Sequence, residues 1–338
     1  MPGPVSRRPA RPERLGAWQV IAKIAGGGMS SIYLGRRVDP PVDPQEPGVV
    51  ALKIVRQDLV ADEHVLHMFV DEGKLLSRLV HPNIVRTLEV GNEAGQAFIA
   101  MELLLGTTLA EVQDAMVARG SRLHPELAAW ITARVGDALQ YAHDLSDEAG
   151  APLSLIHRDV NPANVFVTFG GEVKLFDFGM AKVRDRAMAS SPNIVKGKLP
   201  YLSPEQVMQL PLDSRSDIFA LGTTLWELLT AKRLFRRDSD MDTVRAVHVG
   251  PIPDVRESAP DVPDALARIV RRSLERKREN RYQSAAEMAR ELDELLGSAD
   301  LAGRVATVTT ELFPAEAKRQ GNWLKPAVSP PSSRQPRR

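Results

Sequence analysis

The chain has 338 residues, 43% of them hydrophobic and 26% charged, which allows a large core in one or two domains and is an ordinary water-facing composition. It contains no Cys, so disulfides, thiolate zinc sites and cysteine nucleophiles are excluded. The net charge of +1 is unevenly spread: residues 1–14 carry +3, residues 315–338 carry +5, and the body between them carries −7.

The opening run MPGPVSRRPARPERL has no apolar segment of the secretory kind, and residues 1–14 read as a disordered basic arm. Basic arms on an acidic body can touch nucleic acid or anionic lipid. The plainer reading is a soluble tail, and no nucleic-acid partner is expected. The best membrane candidate, IFALGTTLWELL (218–229), is short and contains Glu227. The expectation is a cytoplasmic protein without a membrane span.

From Trp18, two strand-like runs, WQVIAKI and IYLGRRV, flank the turn AGGGMSS. A Gly-rich turn between strands can bring backbone N–H groups onto phosphates, although an ordinary tight turn has the same composition. The pattern G-x-x-x-x-G-K-[ST] is missing, which argues against a Walker-type nucleotidase. A Pro-rich loop (39–48) leads to VVALK (49–53), a buried strand ending in Lys53. Over residues 62–80, Phe69, Leu76 and Leu79 mark one helical face, and Glu72 falls on it. A carboxylate there requires a cation, and Lys53 is the obvious one.

Strands are expected at 84–90 and 97–101. Past Gly106 the pattern turns helical in TTLAEVQDAMVARG and PELAAWITARVGDALQYAHDL. Thr107 or Thr108 caps the first helix. Leu127, Ile131, Val135, Ala138, Leu139 and Ala142 make the second a core scaffold.

The stretch that organises the rest is IHRDVNPANVFVTFGGEVKLFDFG (156–179). VFVT and VKLF are strand-like, and Gly170 with Gly171 between them makes a β-hairpin. Folded at the two glycines, it sets Asn164 opposite Asp177. Asp159 lies five residues before Asn164. A few hard oxygen donors with room for phosphate suit Mg²⁺ rather than zinc.

His157-Arg158-Asp159 with Asn164, followed by Asp177-Phe178-Gly179, resembles the catalytic loop and metal-binding motif of protein kinases. Over about residues 15–297 the chain resembles the Hanks-type (eukaryotic-like) serine/threonine kinases of bacteria. The resemblance implies an α+β, bilobal fold. A small β-rich N-lobe with one key helix (15–105) would sit on a larger, mainly helical C-lobe (106–297), with 298–338 a flexible Pro/Arg-rich tail. It also implies ATP and Mg²⁺, protein substrates bearing Ser or Thr, a signalling role, and self-association for autophosphorylation.

The implied roles follow the motif positions. Asp159 orients the substrate hydroxyl and accepts its proton, Asn164 and Asp177 hold Mg²⁺, and Lys53, fixed by Glu72, grips the α/β-phosphates. Ala25, Gly26, Gly27, Gly28, Met29 and Ser30 form the lid. In FIAMELLLG (98–106), Met101 is the gatekeeper, and the Glu102 carbonyl and Leu104 N–H meet the adenine edge. Ile24, Ile32, Ala51, Met101 and Phe166 would enclose the ring, and each is equally readable as core packing. Ser203-Pro204-Glu205 is similar to the family's A-P-E, and Arg281 resembles its Arg partner. Asp217 opens the helix within 213–230 and ties down the catalytic loop. Further helices are expected at 241–248, 264–276 and 284–296.

Three departures stand out. Of the lid's G-x-G-x-x-G only Gly27 is kept, with Ala25 and Ser30 at the outer positions. Asn161 stands where the family has a Lys, and Lys198 where it has a Thr. A cation is lost at one place and gained nearby, so Lys198 is expected to reach into the site and replace it. Pro162 fits the Ser/Thr pattern. Arg158 is placed to dock a phosphate. Ser190 and Ser191, or Thr307, Thr309 and Thr310, are the phosphorylation candidates. The alternatives are a pseudokinase binding module, towards which the lid and Asn161 lean, and a small-molecule phosphotransferase, which Ser203-Pro204-Glu205, Asp217 and Arg281 oppose.

Overall fold

A computed structural model describes residues 13–26, 30–39, 47–60, 62–93, 95–178, 198–297 and 300–325. Its first lobe is an antiparallel sheet of β1 (Arg14–Leu15), β2 (Trp18–Gly26), β3 (Ser30–Arg37), β4 (Val49–Val55), β5 (Thr87–Glu93) and β6 (Gln96–Glu102). The strand order is β1-β2-β3-β4-β6-β5. β4 is almost wholly buried because both of its faces are covered. Val50, Leu52 and Ile54 join Trp18 and Phe98 on one side. On the other, Val55 and Ile99 meet Phe69 of helix α1 (Glu63–Leu76). A Cβ at Gly73 would press on the Val90 side chain, so this glycine lets α1 lie close to β5.

Residues 103–105 connect to the second lobe. It contains β7 (Gly106–Thr108), α2 (Leu109–Ala118), α3 (Pro125–His143), β8 (Val165–Thr168), β9 (Val173–Leu175), α4 (Pro204–Val207) and α5 (Arg215–Thr230). Thr108 caps α2 through a capping box with Glu111. After α5 come α6 (Asp240–Val249), α7 (Val255–Ser258), α8 (Asp264–Ser273) and α9 (Ala285–Glu294). From Ser216 to Thr230, α5 is buried all round, which explains its uniformly apolar sequence. α3, α7 and α8 pack against it, and α9 packs on α3 and α8, within one continuous core. Several helices end sooner than their apolar periodicity suggests: α1 stops at Leu76 and α8 at Ser273.

The catalytic hairpin folds one residue away from the expected register. Val165 pairs with Leu175 and Val167 with Val173, and Thr168 N donates to Glu172 O. The loop is therefore Phe169, Gly170 and Gly171. Gly171, at φ +86°, takes the left-handed position that closes a three-residue hairpin loop. Asn164 thus faces Phe176, whose N–H donates to the Asn164 carbonyl at 3.1 Å, and Asp177 lies one step further along.

The second correction concerns the tail. Residues 301–312 and 314–321 are helices, α10 (Leu301–Leu312) and α11 (Pro314–Gly321), where the sequence reads as a flexible segment. Leu301, Val305 and Leu312 are buried in the C-lobe core, and this apolar stripe holds the segment down. Residues 1–12 of the basic arm, residues 326–338 of the tail, Gly27, Gly28, Met29, Gly179, Ser190 and Ser191 lie outside the described residues. Among the described residues no helix is long and apolar enough to cross a membrane.

Candidate active site

Lys53 points from β4 towards α1, and Glu72 points back from the buried face of that helix. Lys53 Nζ is 2.9 Å from Glu72 Oε1 and 3.2 Å from Asp177 Oδ1. One ammonium therefore joins the sheet, the helix and the catalytic hairpin. Burial disfavours its charge, but Asp177 and Glu72 outweigh that and hold its pKa above the ordinary lysine value. Stripping either carboxylate leaves a buried charge under-compensated.

Asp159 sits at the centre of a tight amide network. Asn161 Nδ2 donates to its Oδ1 at 3.0 Å, and Asn164 Nδ2 to its Oδ2 at 2.9 Å. Asn161 Oδ1 accepts from Ala163 N. Asn161 is therefore a strut within the loop, and it supplies no cation. Lys198 Nζ supplies one, forming an ion pair with Asp159 Oδ2.

Asn164 Nδ2 serves Asp159 O and Asp159 Oδ2, so Oδ1 is the atom this side chain can offer a metal. Asp177 adds a carboxylate whose side chain is 31% exposed at the cleft. Two hard oxygen donors, with the remaining positions left to water and phosphate, suit Mg²⁺. The donor set therefore fits the metal that the resemblance implies.

Two of these loops hold non-glycine residues in left-handed backbone, Arg158 at φ 65° and Asp177 at φ 62°. Each costs on the order of 1–2 kcal/mol and persists only where the surroundings enforce it. Asp217 does so for the first: its carboxylate accepts from His157 N at 2.8 Å and Arg158 N at 2.7 Å. His143 Nε2 lies 2.8 Å from the same carboxylate. His157 ties the second, with Nε2 at 3.0 Å from Phe176 O and its ring edge-on to Phe178 at 4.5 Å.

The pocket residues surround the hinge. Ala51 of β4 pairs with Met101 of β6, and Ile32 of β3 with Lys53. Ile24, Met101, Leu104 and Phe166 are half-buried. In the lid, Ala25 pairs with Ile32, Gly26 with Ser31 and Ser30 with Val55. The Glu102 side chain turns to Lys174 of β9 at 2.9 Å and to Arg86 N at 2.8 Å.

Below the catalytic loop, Arg281 grips Glu205 in a buried bidentate pair at 2.7 and 2.8 Å, and Ser216 Oγ adds a bond at 2.7 Å. Burial raises the Glu205 pKa, but Arg281 and Ser216 prevail and leave it below the ordinary value.

Two supporting contacts were not legible in the sequence. Gln206 Nε2 donates to Arg158 O at 2.9 Å, joining α4 to the catalytic loop. Tyr201 Oη donates to Glu227 Oε2 at 2.7 Å, and Arg233 Nη1 reaches the same oxygen at 2.9 Å. Burial pushes the Glu227 and Tyr201 pKa values up. Only the charge of Glu227 inside an apolar helix signals this triad in the sequence.

A lysine on a helix carboxylate, an Asp–Asn catalytic loop and a carboxylate beside both form one cleft between two lobes, and residues 18–292 match the protein kinase domain. The chain belongs to the protein kinase family. Within it, the chain is of the Hanks type found in bacteria. The kinase is 36% identical to the tyrosine-protein kinase MasK of Myxococcus xanthus, over 83% of this chain and 43% of that one. It is 32% identical to the serine/threonine-protein kinase PrkC of Bacillus subtilis, over 81% of this chain and 39% of that one. The kinase thus spans about two-fifths of the length of these curated relatives. Among solved structures it is similar to the PknI kinase domain of Mycobacterium tuberculosis. The TM-score is 0.61 and the identity 26%, with 85% of this chain and 100% of that one covered.

Proposed function

We propose that the chain transfers the γ-phosphoryl group of ATP to Ser or Thr hydroxyls of protein substrates. The observation that carries this reading is Lys53 bonded at once to Glu72 and Asp177, directly above the Asp159–Asn164 loop. ATP with Mg²⁺ supplies the phosphoryl group and spreads the charge that develops on it. Lys53, held by Glu72, grips the α/β-phosphates. Asn164 Oδ1 and Asp177 hold the metal. Asp159 orients the incoming hydroxyl and accepts its proton, and Lys198 brings the positive charge that Asn161 lacks. The hinge backbone at Glu102 and Leu104 receives the adenine edge, with Ile24, Ile32, Ala51, Met101 and Phe166 around the ring and lid residues 25–30 covering the phosphates.

Pro162 and the serine/threonine-kinase names of relatives such as PrkC support the hydroxyl preference. The tyrosine-kinase name of MasK makes it a question for direct measurement. The reaction belongs in the cytoplasm, where ATP is supplied, within bacterial signalling, and self-association would permit phosphorylation between copies.

The test is incubation with labelled ATP·Mg²⁺ and a generic protein substrate, wild type beside Asp159→Asn, followed by acid hydrolysis and phosphoamino-acid separation. Phosphoserine or phosphothreonine from wild type alone is the expected result. Phosphotyrosine alone would overturn the hydroxyl preference. Nucleotide binding without transfer would mean a binding module on the same fold.

A further inference from the structure

Residues 300–325 follow the family match, which ends at residue 292, yet they touch the catalytic architecture at three points. The first is the turn of the catalytic hairpin: a Cβ at Gly171 would run into the carbonyl of Ala302 in α10.

The second is the exit of the hinge. Gln320, near the end of α11, is buried. Its Oε1 accepts from Gly106 N at 2.7 Å and its Nε2 donates to Gly106 O at 2.9 Å. Nε2 also donates to Glu316 Oε1 at 2.7 Å. Gly106 is the first residue after 103–105 and opens β7, the outer strand of the sheet β7-β8-β9. The N–H and C=O of one residue in an antiparallel strand point the same way. The Gln320 amide therefore closes this edge as a neighbouring strand would, and its own desolvation is offset only while that pairing lasts.

The third point is on the other lobe. Arg36 Nη2, near the end of β3, donates to Trp323 O at 3.1 Å and Lys325 O at 2.8 Å. Arg36 pairs with Val49 of β4, and the next residue, Val50, pairs with Glu102 at the hinge entrance.

We infer that residues 300–325 form a strap across the hinge that sets the angle between the lobes, with Gln320 and Arg36 as positioning residues for nucleotide. The inference rests on the nucleotide-binding reading above. The lobes pivot on 103–105, and that pivot sets the distance from the Met101 side of the pocket to Phe166 beneath it. A second tie, anchored through Leu301, Val305 and Leu312 in the C-lobe and ending on β3, resists the same rotation. Thr309 is buried against the C-lobe, whereas Thr307 and Thr310 are exposed, so phosphorylation at Thr309 requires the strap to lift.

The experiment compares the 338-residue wild-type chain with Gln320→Met, which keeps the bulk and loses both bonds to Gly106 and the one to Glu316, and Gln320→Glu, which keeps only the acceptor. Arg36→Ala loosens the N-lobe end without disturbing the buried anchors. A fluorescent ATP analogue with Mg²⁺ reads affinity, and turnover is measured at saturating ATP. The dissociation constant and the KM for ATP should rise about fivefold in Gln320→Met, the factor for roughly one net hydrogen bond. Arg36→Ala should fall between, and Gln320→Glu, which sets a carboxylate against Glu316 and the Gly106 carbonyl, should weaken affinity at least as much as Gln320→Met; kcat should stay within about twofold of wild type in Gln320→Met and Arg36→Ala. Unchanged affinity and KM in Gln320→Met and Arg36→Ala, with only the melting temperature lowered, would overturn the inference. A wild type that neither binds nor transfers would refute the kinase reading instead. Hydrogen exchange at amides 103–105 then still decides the strap: faster exchange in Gln320→Met and Arg36→Ala supports it, and unchanged exchange overturns it.

Discussion

Lys198 and Asp159 form an ion pair at the mouth of the catalytic loop. The neighbouring position that would hold a loop lysine carries Asn161, whose amide is committed to Asp159 and Ala163. The positive charge beside Asp159 therefore comes from a different segment of the chain. Lys198→Ala should lower kcat on the order of tenfold to a hundredfold, the usual scale for removing one charge-stabilising group. Adding Asn161→Lys should restore part of it. A fully active Lys198→Ala would dismiss the exchange.

Glu72→Gln tests the tie between the lobes. It leaves Asp177 as the only anionic partner of Lys53 among the described pairs. Turnover should drop by at least tenfold, with weaker ATP affinity, because the ammonium is drawn towards Asp177 and away from the phosphates. Steady-state kinetics against ATP checks this, and an unchanged kcat/KM would show that Glu72 only fills space.

Asp217→Asn replaces an acceptor of two N–H bonds with an amide whose NH₂ faces a donor. The left-handed backbone at Arg158 loses its restraint. Turnover should fall by at least tenfold while ATP affinity stays near wild type, since the nucleotide contacts lie elsewhere. Equal losses in affinity and turnover would point to general unfolding.

The Glu205–Arg281 pair predicts a pH dependence of stability. The folded-state pKa of Glu205 lies below its ordinary value of 4.5. Its contribution is therefore complete above that value and disappears as pH falls through the lower, folded-state pKa. Glu205→Gln should cost roughly 3 kcal/mol at neutral pH, because it leaves Arg281 buried without a full counter-charge. Its melting temperature should then change less than that of wild type between about pH 5 and pH 3. Parallel melting curves across that range would remove the pair from the acid response.

Thr108→Ala serves as the opposite case. The capping box joins Thr108 and Glu111 at the start of α2, and neither side chain is among the groups assigned to nucleotide, metal or hydroxyl. Its loss should cost about 1 kcal/mol of stability and leave the kinetics unchanged. Denaturant unfolding beside an activity assay measures both.

What the sequence by itself determined were the elements and the chemical groups, because these depend on local spacing. An amphipathic period places Glu72 on a buried face, and a β-rich run ends in Lys53. The short-range pattern from His157 to Phe178 puts Asp159, Asn164 and Asp177 on one loop and hairpin. Tertiary structure alone decided the rest. Which of two adjacent glycines takes the left-handed position shifted the hairpin register by one, and no pattern in FGGE distinguishes them. The Tyr201–Glu227–Arg233 triad depends on how α5 sits against its neighbours. The strap escaped notice because its apolar stripe is sparse, and because Gln320 meets Gly106 across 214 residues of chain. A neutral amide has no sequence signature as a partner for a backbone edge. It becomes one only when folding brings that edge within hydrogen-bonding distance.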